Sequence, residues 1–488
     1  MNPPSLNPPT KNLGSLLDGD PNRVALIDLT DGAQYTYAEL DHLISSADIS
    51  VASGERIGLL GSNSAAFMVT FSAIMRQGGV AVPINTKFPA DTISHVIKDA
   101  ELSSLWCDAE LHPNVSADIP IREFTISGSN TSQSTTVVPG VGQPGLVLYT
   151  SGSTGTPKGV LLSHDSQWAM VSRMKGPVEG ATGIIAAPLY HMNGLLFFWM
   201  LLAAGGTVVL MPRFSAADYL QAINDHQVNI ITGVPTMLSL MLKEQKLINE
   251  LDLDSVAAIS VGSAPLSETL IEQVRGVFRK ARIANGYGTT EAGAGMFGAH
   301  PDGIPVPPLS LGHPQSHVEI RLVGGASEGV LEVRTPAAMN GYLNLPAKTA
   351  EKMDDEGWIN TGDIMRRDED GFFYFVGRDD DMFNCGGENI YPGEVERILE
   401  TDARIAESCV VPVADETKGQ KPVAFIVVAV GATVTEQEIK DIALAKAPAY
   451  MHPRAVYFVE SMPLAGTNKI DRKVLATLAA ERASSNSK

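Results

Sequence analysis

The string "YTSGSTGTPKGV" (Tyr149–Val160) places hydroxyls, glycines and one lysine between two apolar runs. Small residues let the backbone turn successive N–H groups inward as an anion nest. The Ser and Thr hydroxyls add donors, and Lys158 adds a positive charge. Thr150, Ser151, Gly152, Ser153, Thr154, Gly155 and Lys158 are therefore candidates for holding phosphate. The string is not a Walker loop, because Pro157 precedes Lys158 and Gly159 follows it where Ser or Thr is required. Nor is it the elbow of a serine hydrolase, because Ser151 stands where the first Gly of G-x-S-x-G belongs. A Gly/Ser linker is the bland alternative, but linkers do not usually join a buried strand to a second apolar run through a lone lysine.

"NGYGTTE" (Asn285–Glu291) nearly matches a dinucleotide fingerprint, but Glu291 occupies the place of the third Gly. "PLYHMNG" (Pro188–Gly194) sets His191 between an apolar strand and an apolar helix. "VGSAP" (Val261–Pro265) ends another strand. "GWINTGD" (Gly357–Asp363), "GRDDDMFNCGGENIYPGEVE" (Gly377–Glu396) and "MPLAGTNKIDRK" (Met462–Lys473) follow.

In this order, these strings resemble the adenylate-forming superfamily, which includes acyl-CoA synthetases, peptide-synthetase adenylation domains and firefly-type luciferases. The likeness is greatest to its acyl- and aryl-CoA ligases and spans nearly the whole chain, from "YTYAEL" to Lys469. It implies that ATP, Mg2+ and coenzyme A are the cofactors and that a small carboxylic acid is the partner. Asn285, Gly286, Tyr287, Gly288, Thr289 and Thr290 would line the nucleotide, with Tyr287 stacking on adenine and Thr290 meeting the α-phosphate. Glu291 would help hold magnesium. Gly262, Ser263, Ala264 and Pro265 would pack against adenine, and Asp363 and Arg378 would bind ribose. Lys469 falls on the catalytic lysine, although Asn468 stands where Gly is usual and Ala465 where Thr often sits. Asp380 matches the hinge. After rotation about it, Gly386 and Gly387 would let a pantetheine arm pass close to the backbone. His191 would border the reacting carboxylate, in an acid pocket made with Met192, Asn193, Gly233, Val234, Gly262, Gly286 and Tyr287.

The elements that must position these residues read as α/β. Thr36 and Glu39 have capping-box spacing and open a helix. "ERIGLL", "SAAFMVTFSAIMRQGG" and "VAVPIN" form a strand–helix–strand unit of the kind that builds parallel sheets. The pattern recurs in "GIIAAPL", "NGLLFFWMLLAAGG" and "TVVLM". Ser215 caps "AADYLQAINDHQ", and "VNIITGV", "VAAISVGS" and "ARIANGYG" are strands, the last two ending in Gly. Ligands of open α/β sheets sit at the carboxyl ends of strands, so these ends border one crevice. From Leu311 to Gly377 short strands predict a small β-barrel-like part. Beyond it lies a compact α+β pattern. The expected organisation is a large N-terminal domain, 1–379, of two parallel-sheet subdomains plus the β part, and a small mobile C-terminal domain, 380–488, carrying Lys469.

Composition narrows the function. The chain has 488 residues, 44% hydrophobic and 19% charged, with a formal net charge of −19. Such acidity repels nucleic-acid backbones and anionic lipid surfaces. The three cysteines form no CxxC pair, and no basic-then-apolar leader opens the chain. The longest apolar run, Leu195 to Ala204, is too short to span a bilayer. A cytoplasmic enzyme is expected. Amino-acid-activating relatives often place an Asp shortly after the strand that here ends in "PLYHMNG"; none stands there, which points to an acid without an α-amino group. The acid is a short or medium, branched or hydroxylated aliphatic one, or an aromatic one. A stand-alone adenylating enzyme loading a carrier protein and a catalytically silent nucleotide binder are the alternatives.

Overall fold

The computed structural model describes residues 11–126, 135–150, 156–262, 264, 266–429, 431–465 and 469–485. Two seven-stranded sheets form the frame. In the first, strand Arg282–Gly286 is followed across the sheet by Ala258–Gly262, Ile230–Gly233, Thr182–Ile185, Thr207–Leu210 and Val24–Asp28, all parallel, and then by antiparallel Gln34–Thr36. The second runs from Gly341–Tyr342 through Lys158–Ser163, Pro144–Thr150, Val80–Pro83, Arg56–Leu60 and Ser104–Cys107 to Ile121–Arg122. It is parallel except at the Gly341–Tyr342 end, where Pro144–Thr150 turns back on Lys158–Ser163 with Thr150 opposite Lys158.

One apolar core joins the sheets. Helices Ala65–Arg76 and Met192–Ala203 contribute to it, the second being buried from Gly194 to Ala203. A helix apolar on every side can only be stable when covered all round. Trp199 and Phe71 meet within it at 6.0 Å between ring centroids; each such buried aromatic contributes roughly 1.5–3 kcal/mol relative to exposure. The caps form as the sequence indicates. Thr36 and Glu39 make a reciprocal capping box, and Ser215 accepts from Asp218 N. The β part is an antiparallel sheet of Glu319–Val323, Glu328–Arg334, Ile359–Arg367 and Phe373–Arg378.

After Arg378 the next strands are Phe383–Cys385 and Glu388–Ile390. They belong to a separate sheet with Ile405–Asp415, Gly419–Val428 and Ala455–Phe458. Asp380 lies between the two sheets. Helices Pro392–Leu399, Glu436–Lys446 and Arg472–Ser485 accompany the C-terminal sheet. No described helix is long and apolar enough to cross a membrane.

Candidate active site

The crevice begins where neighbouring parallel strands end. Gly233 pairs with Val261, and Gly262 with Gly286, so their carboxyl ends lie side by side. A Cβ on Gly262 would stand 2.9 Å from the Gly286 carbonyl oxygen, so this approach requires glycine. Asn285 donates from its amide to the Leu309 carbonyl at 3.0 Å, which ties down the segment after the strand. Thr289 accepts from Ala292 N in the turn that carries Thr290 and Glu291.

His191 enters from the side, immediately before helix Met192–Ala203. Asn63, which no motif singled out, clamps its loop: the amide donates to the Ala187 carbonyl at 3.0 Å and accepts from Leu189 N at 2.9 Å. Gly194 permits the tight entry, because a Cβ there would meet the Ala187 carbonyl at 2.9 Å. Asn193 accepts from the Thr232 hydroxyl at 3.2 Å, which joins this helix start to strand Ile230–Gly233. His191 Nε2 is buried with no hydrogen-bond partner among the described residues. Burial, and then the charge of Lys469, lower its pKa to about 4. The imidazole is therefore neutral at physiological pH.

Lys158 and Glu291, expected at the phosphates, are joined through Tyr342. Lys158 Nζ lies 4.7 Å above the Tyr342 ring, within cation–π range. The Tyr342 hydroxyl donates to Glu291 Oε1 at 2.8 Å. Glu291 Oε2 has no partner among the described residues. The phosphate-loop residues Ser151, Gly152, Ser153, Thr154 and Gly155, and Ser263 and Pro265, lie outside the described residues.

The residues expected at ribose stand on strands Ile359–Arg367 and Phe373–Arg378, which set Asp363 opposite Arg378. Asp363 is 5% exposed. It accepts from Arg378 Nη1 at 3.0 Å and from the Tyr287 hydroxyl at 2.5 Å. Burial pushes its carboxyl up, and these two donors oppose that. Arg378 also grips Asp380 bidentately, at 2.8 and 3.1 Å. Burial pushes the Tyr287 phenol up, so its hydroxyl remains a donor.

Lys469 reaches the same place from the C-terminal domain. Ala465 N donates to the Lys469 carbonyl at 2.8 Å, and Leu464 pairs with Ile470. Arg472, just beyond, donates to Glu396 at 2.6 Å and to the Val410 carbonyl at 3.0 Å. Burial lowers the Lys469 pKa; Asp363 opposes this and Arg378 adds to it. The charge of Lys469 thus acts on His191, and those of Asp363 and Arg378 act on Lys469. Gly386 and Gly387 are not among these residues. They are exposed at the turn between Phe383–Cys385 and Glu388–Ile390, with φ of +65° and +96°, and Gly386 N donates to the Lys418 carbonyl of the same domain.

Comparison with known proteins gives an independent view. Residues 17–343 match the family model described as AMP-binding enzyme, and residues 394–469 match that of the AMP-binding enzyme C-terminal domain. A feruloyl-CoA synthase of Amycolatopsis sp is 30% identical over 90% of this chain and 93% of its own length. The fatty acid–[acyl-carrier-protein] ligase ScoC of Streptomyces coeruleorubidus is also 30% identical, over 92% of each chain. Among solved structures, the anthranilate CoA ligase AuaEII in complex with anthranoyl-AMP superposes with a TM-score of 0.87 at 25% identity, covering 98% of this chain and 99% of its own.

Proposed function

Because the chain belongs to the AMP-binding enzyme family, we propose that it is an ATP-dependent carboxylic acid–CoA ligase acting in two steps. What supports this reading most is the Asp363–Arg378 pair on the large domain, whose charges act on Lys469 from the C-terminal domain, as Lys469 acts on His191. The domains are taken as 1–379 and 380–488, turning about Asp380.

In the first step a carboxylate oxygen bonds to the α-phosphorus of ATP while the bond to pyrophosphate breaks. Two anions must meet, so the site needs positive charge that is in place beforehand. Lys469 supplies it at the transferring phosphoryl group, Lys158 near the leaving pyrophosphate, and Arg378 with Asp363 fixes the ribose. A neutral His191 with a free Nε2 can hydrogen-bond the acid without a competing charge. Glu291 fits magnesium: its carboxylate is oriented by Tyr342 at one oxygen, while the other has no partner among the described residues, and one protein carboxylate plus phosphates is a usual magnesium environment. When bound, magnesium would neutralise phosphate charge. In the second step a thiol sulfur attacks the adenylate carbonyl, its proton departs and AMP leaves.

Relatives named for feruloyl-CoA and anthranilate support an aromatic acid as the substrate. The pocket of His191, Met192, Asn193, Gly233, Val234 and Tyr287 is mostly small or apolar, as such an acid requires. The cytoplasm is the proposed compartment, where the three buried free cysteines would stay reduced.

The test is mass spectrometry of products from the purified protein with ATP, magnesium and a pool of aromatic and aliphatic acids, with and without CoA. A new acyl-CoA plus AMP is expected. Adenylate and pyrophosphate with no thioester would transfer the proposal to a carrier-protein acceptor, a reading that the relative ScoC favours. Absence of turnover across the pool would sink it.

A further inference from the structure

Lys158, Arg378 and Lys469 do not exhaust the cations around this site. Lys352 ends the short helix Pro346–Lys352, and its Nζ donates to the Thr361 carbonyl at 3.0 Å. Thr361 is bound directly to the ribose side, because its hydroxyl accepts from Asp363 N at 3.1 Å. The same helix is fastened to the phosphate side: Tyr342 N donates to Thr349 Oγ1 at 2.9 Å, and the Tyr342 hydroxyl reaches Glu291. Lys352 is thereby held between the two carboxylates assigned to opposite ends of the nucleotide.

Its surroundings are unusual for a lysine with only a structural role. The side chain is half-buried, yet no carboxylate lies within 4.0 Å of its nitrogen among the described residues. Burial lowers its pKa; Glu291 and Asp363 oppose this, and Arg378 and Lys158 add to it. Lysines normally extend the ammonium into water, and an ammonium drawn from water without a counter-ion in contact is costly. One carbonyl could be satisfied by a neutral donor. An ammonium kept there, beside two other cations, is explained if its counter-ion arrives with a ligand.

We propose that Lys352 is a further nucleotide-binding residue, whose ammonium takes a phosphate oxygen of the bound nucleotide between Glu291 and Asp363. The proposal rests on reading the crevice as an adenylation site. It separates Lys352 from Lys469. Lys352 is fixed to the same sheet as Asp363, so its charge would stay beside the α-phosphate in any orientation of the C-terminal domain, including the one in which AMP departs.

Binding calorimetry on the full chain tests this, with AMP, ATP and adenosine titrated into wild type, Lys352→Met and Lys352→Arg. AMP and ATP are expected to bind Lys352→Met about tenfold or more weakly, the scale of a lost charge-assisted hydrogen bond. Adenosine should bind as before, and Lys352→Arg should retain most of the phosphate affinity. Equal weakening of AMP and adenosine would make Lys352 a support of Thr361 and overturn the proposal. Unchanged AMP affinity in Lys352→Met, with wild type binding AMP, would overturn it and leave the proposed function standing. Wild type binding no adenine nucleotide would overturn both. Should Lys352→Met fold poorly, Lys352→Gln gives the same comparison with the carbonyl contact retained.

Discussion

Tyr342 touches both signs of charge at once, with its ring under Lys158 and its hydroxyl on Glu291. Burial and the neighbouring Glu291 hold the phenol protonated. Replacing it with Phe keeps the ring and removes the hydrogen bond. A net hydrogen bond of about 1 kcal/mol, more to a charged acceptor, corresponds to a several-fold rise in KM for magnesium-ATP in acid-dependent pyrophosphate exchange, with the unfolding midpoint little changed. Tyr342→Ala loses the ring as well and should be worse. At this scale the sequence was informative for residues within compact strings, such as Tyr287, Glu291, Asp363 and Arg378. It was silent on Tyr342, Lys352 and Asn63. Their chemistry lies in partners far along the chain: Tyr342 meets Glu291 across 51 positions, and Asn63 meets Leu189 across 126. No local spacing signals such a pair.

Strand ends, rather than single side chains, set the geometry of the crevice. Strands Ala258–Gly262 and Arg282–Gly286 close on each other through Gly262 and Gly286. Gly262→Ala would push its methyl to 2.9 Å from a backbone oxygen that cannot move freely. We expect a loss of about 1–3 kcal/mol by denaturant unfolding, the usual range for overpacking, together with weakened nucleotide binding. Gly276→Ala is the control. It lies inside helix Glu268–Val277, where an added Cβ meets nothing within 4 Å, so it should stabilise by about 0.5–1 kcal/mol. Elements with one clear period were legible: the apolar strands around Ile57, Val82, Ile184 and Val209, and the two helices they flank. Ile359–Arg367 was not read as a strand, because Asn360, Gly362 and Asp363 interrupt its apolar pattern. Nor could the reversal at Thr150 and Lys158 be read, since the pairing direction of two short apolar runs is decided by the sheet that receives them.

The docking of the C-terminal domain is a property of the whole molecule. Its seam includes Thr269 donating to the Glu400 carbonyl at 3.3 Å, and Glu407 facing Ser239 and Lys243. Behind the seam the Glu400 carboxyl accepts from Ser408 N and Oγ. Burial, and then Glu396, push its pKa up to about 8. A carboxyl raised on folding stabilises fully only below its unfolded pKa, and that contribution is lost as pH rises through the folded value. Wild type should therefore lose thermal stability between about pH 4.5 and 8 through this group. Glu400→Gln, which cannot ionise, should show a pH slope shallower by about 1–2 kcal/mol over that window. An identical slope in the two proteins would mean that Glu400 ionises freely in place.

Arg378 gives one nitrogen to Asp363 and two to Asp380. A turn of the backbone at Asp380 that carries its carboxylate away would break two of these three bonds and free the guanidinium to shift against Asp363. If the C-terminal domain turns about Asp380 as proposed, whatever rests on Asp363 would have two affinities, one for each orientation. By reciprocity, the ratio of those affinities would be the factor by which the same ligand biases the orientation. Occupancy and orientation would then be a single equilibrium read from two ends, with one guanidinium as the coupling.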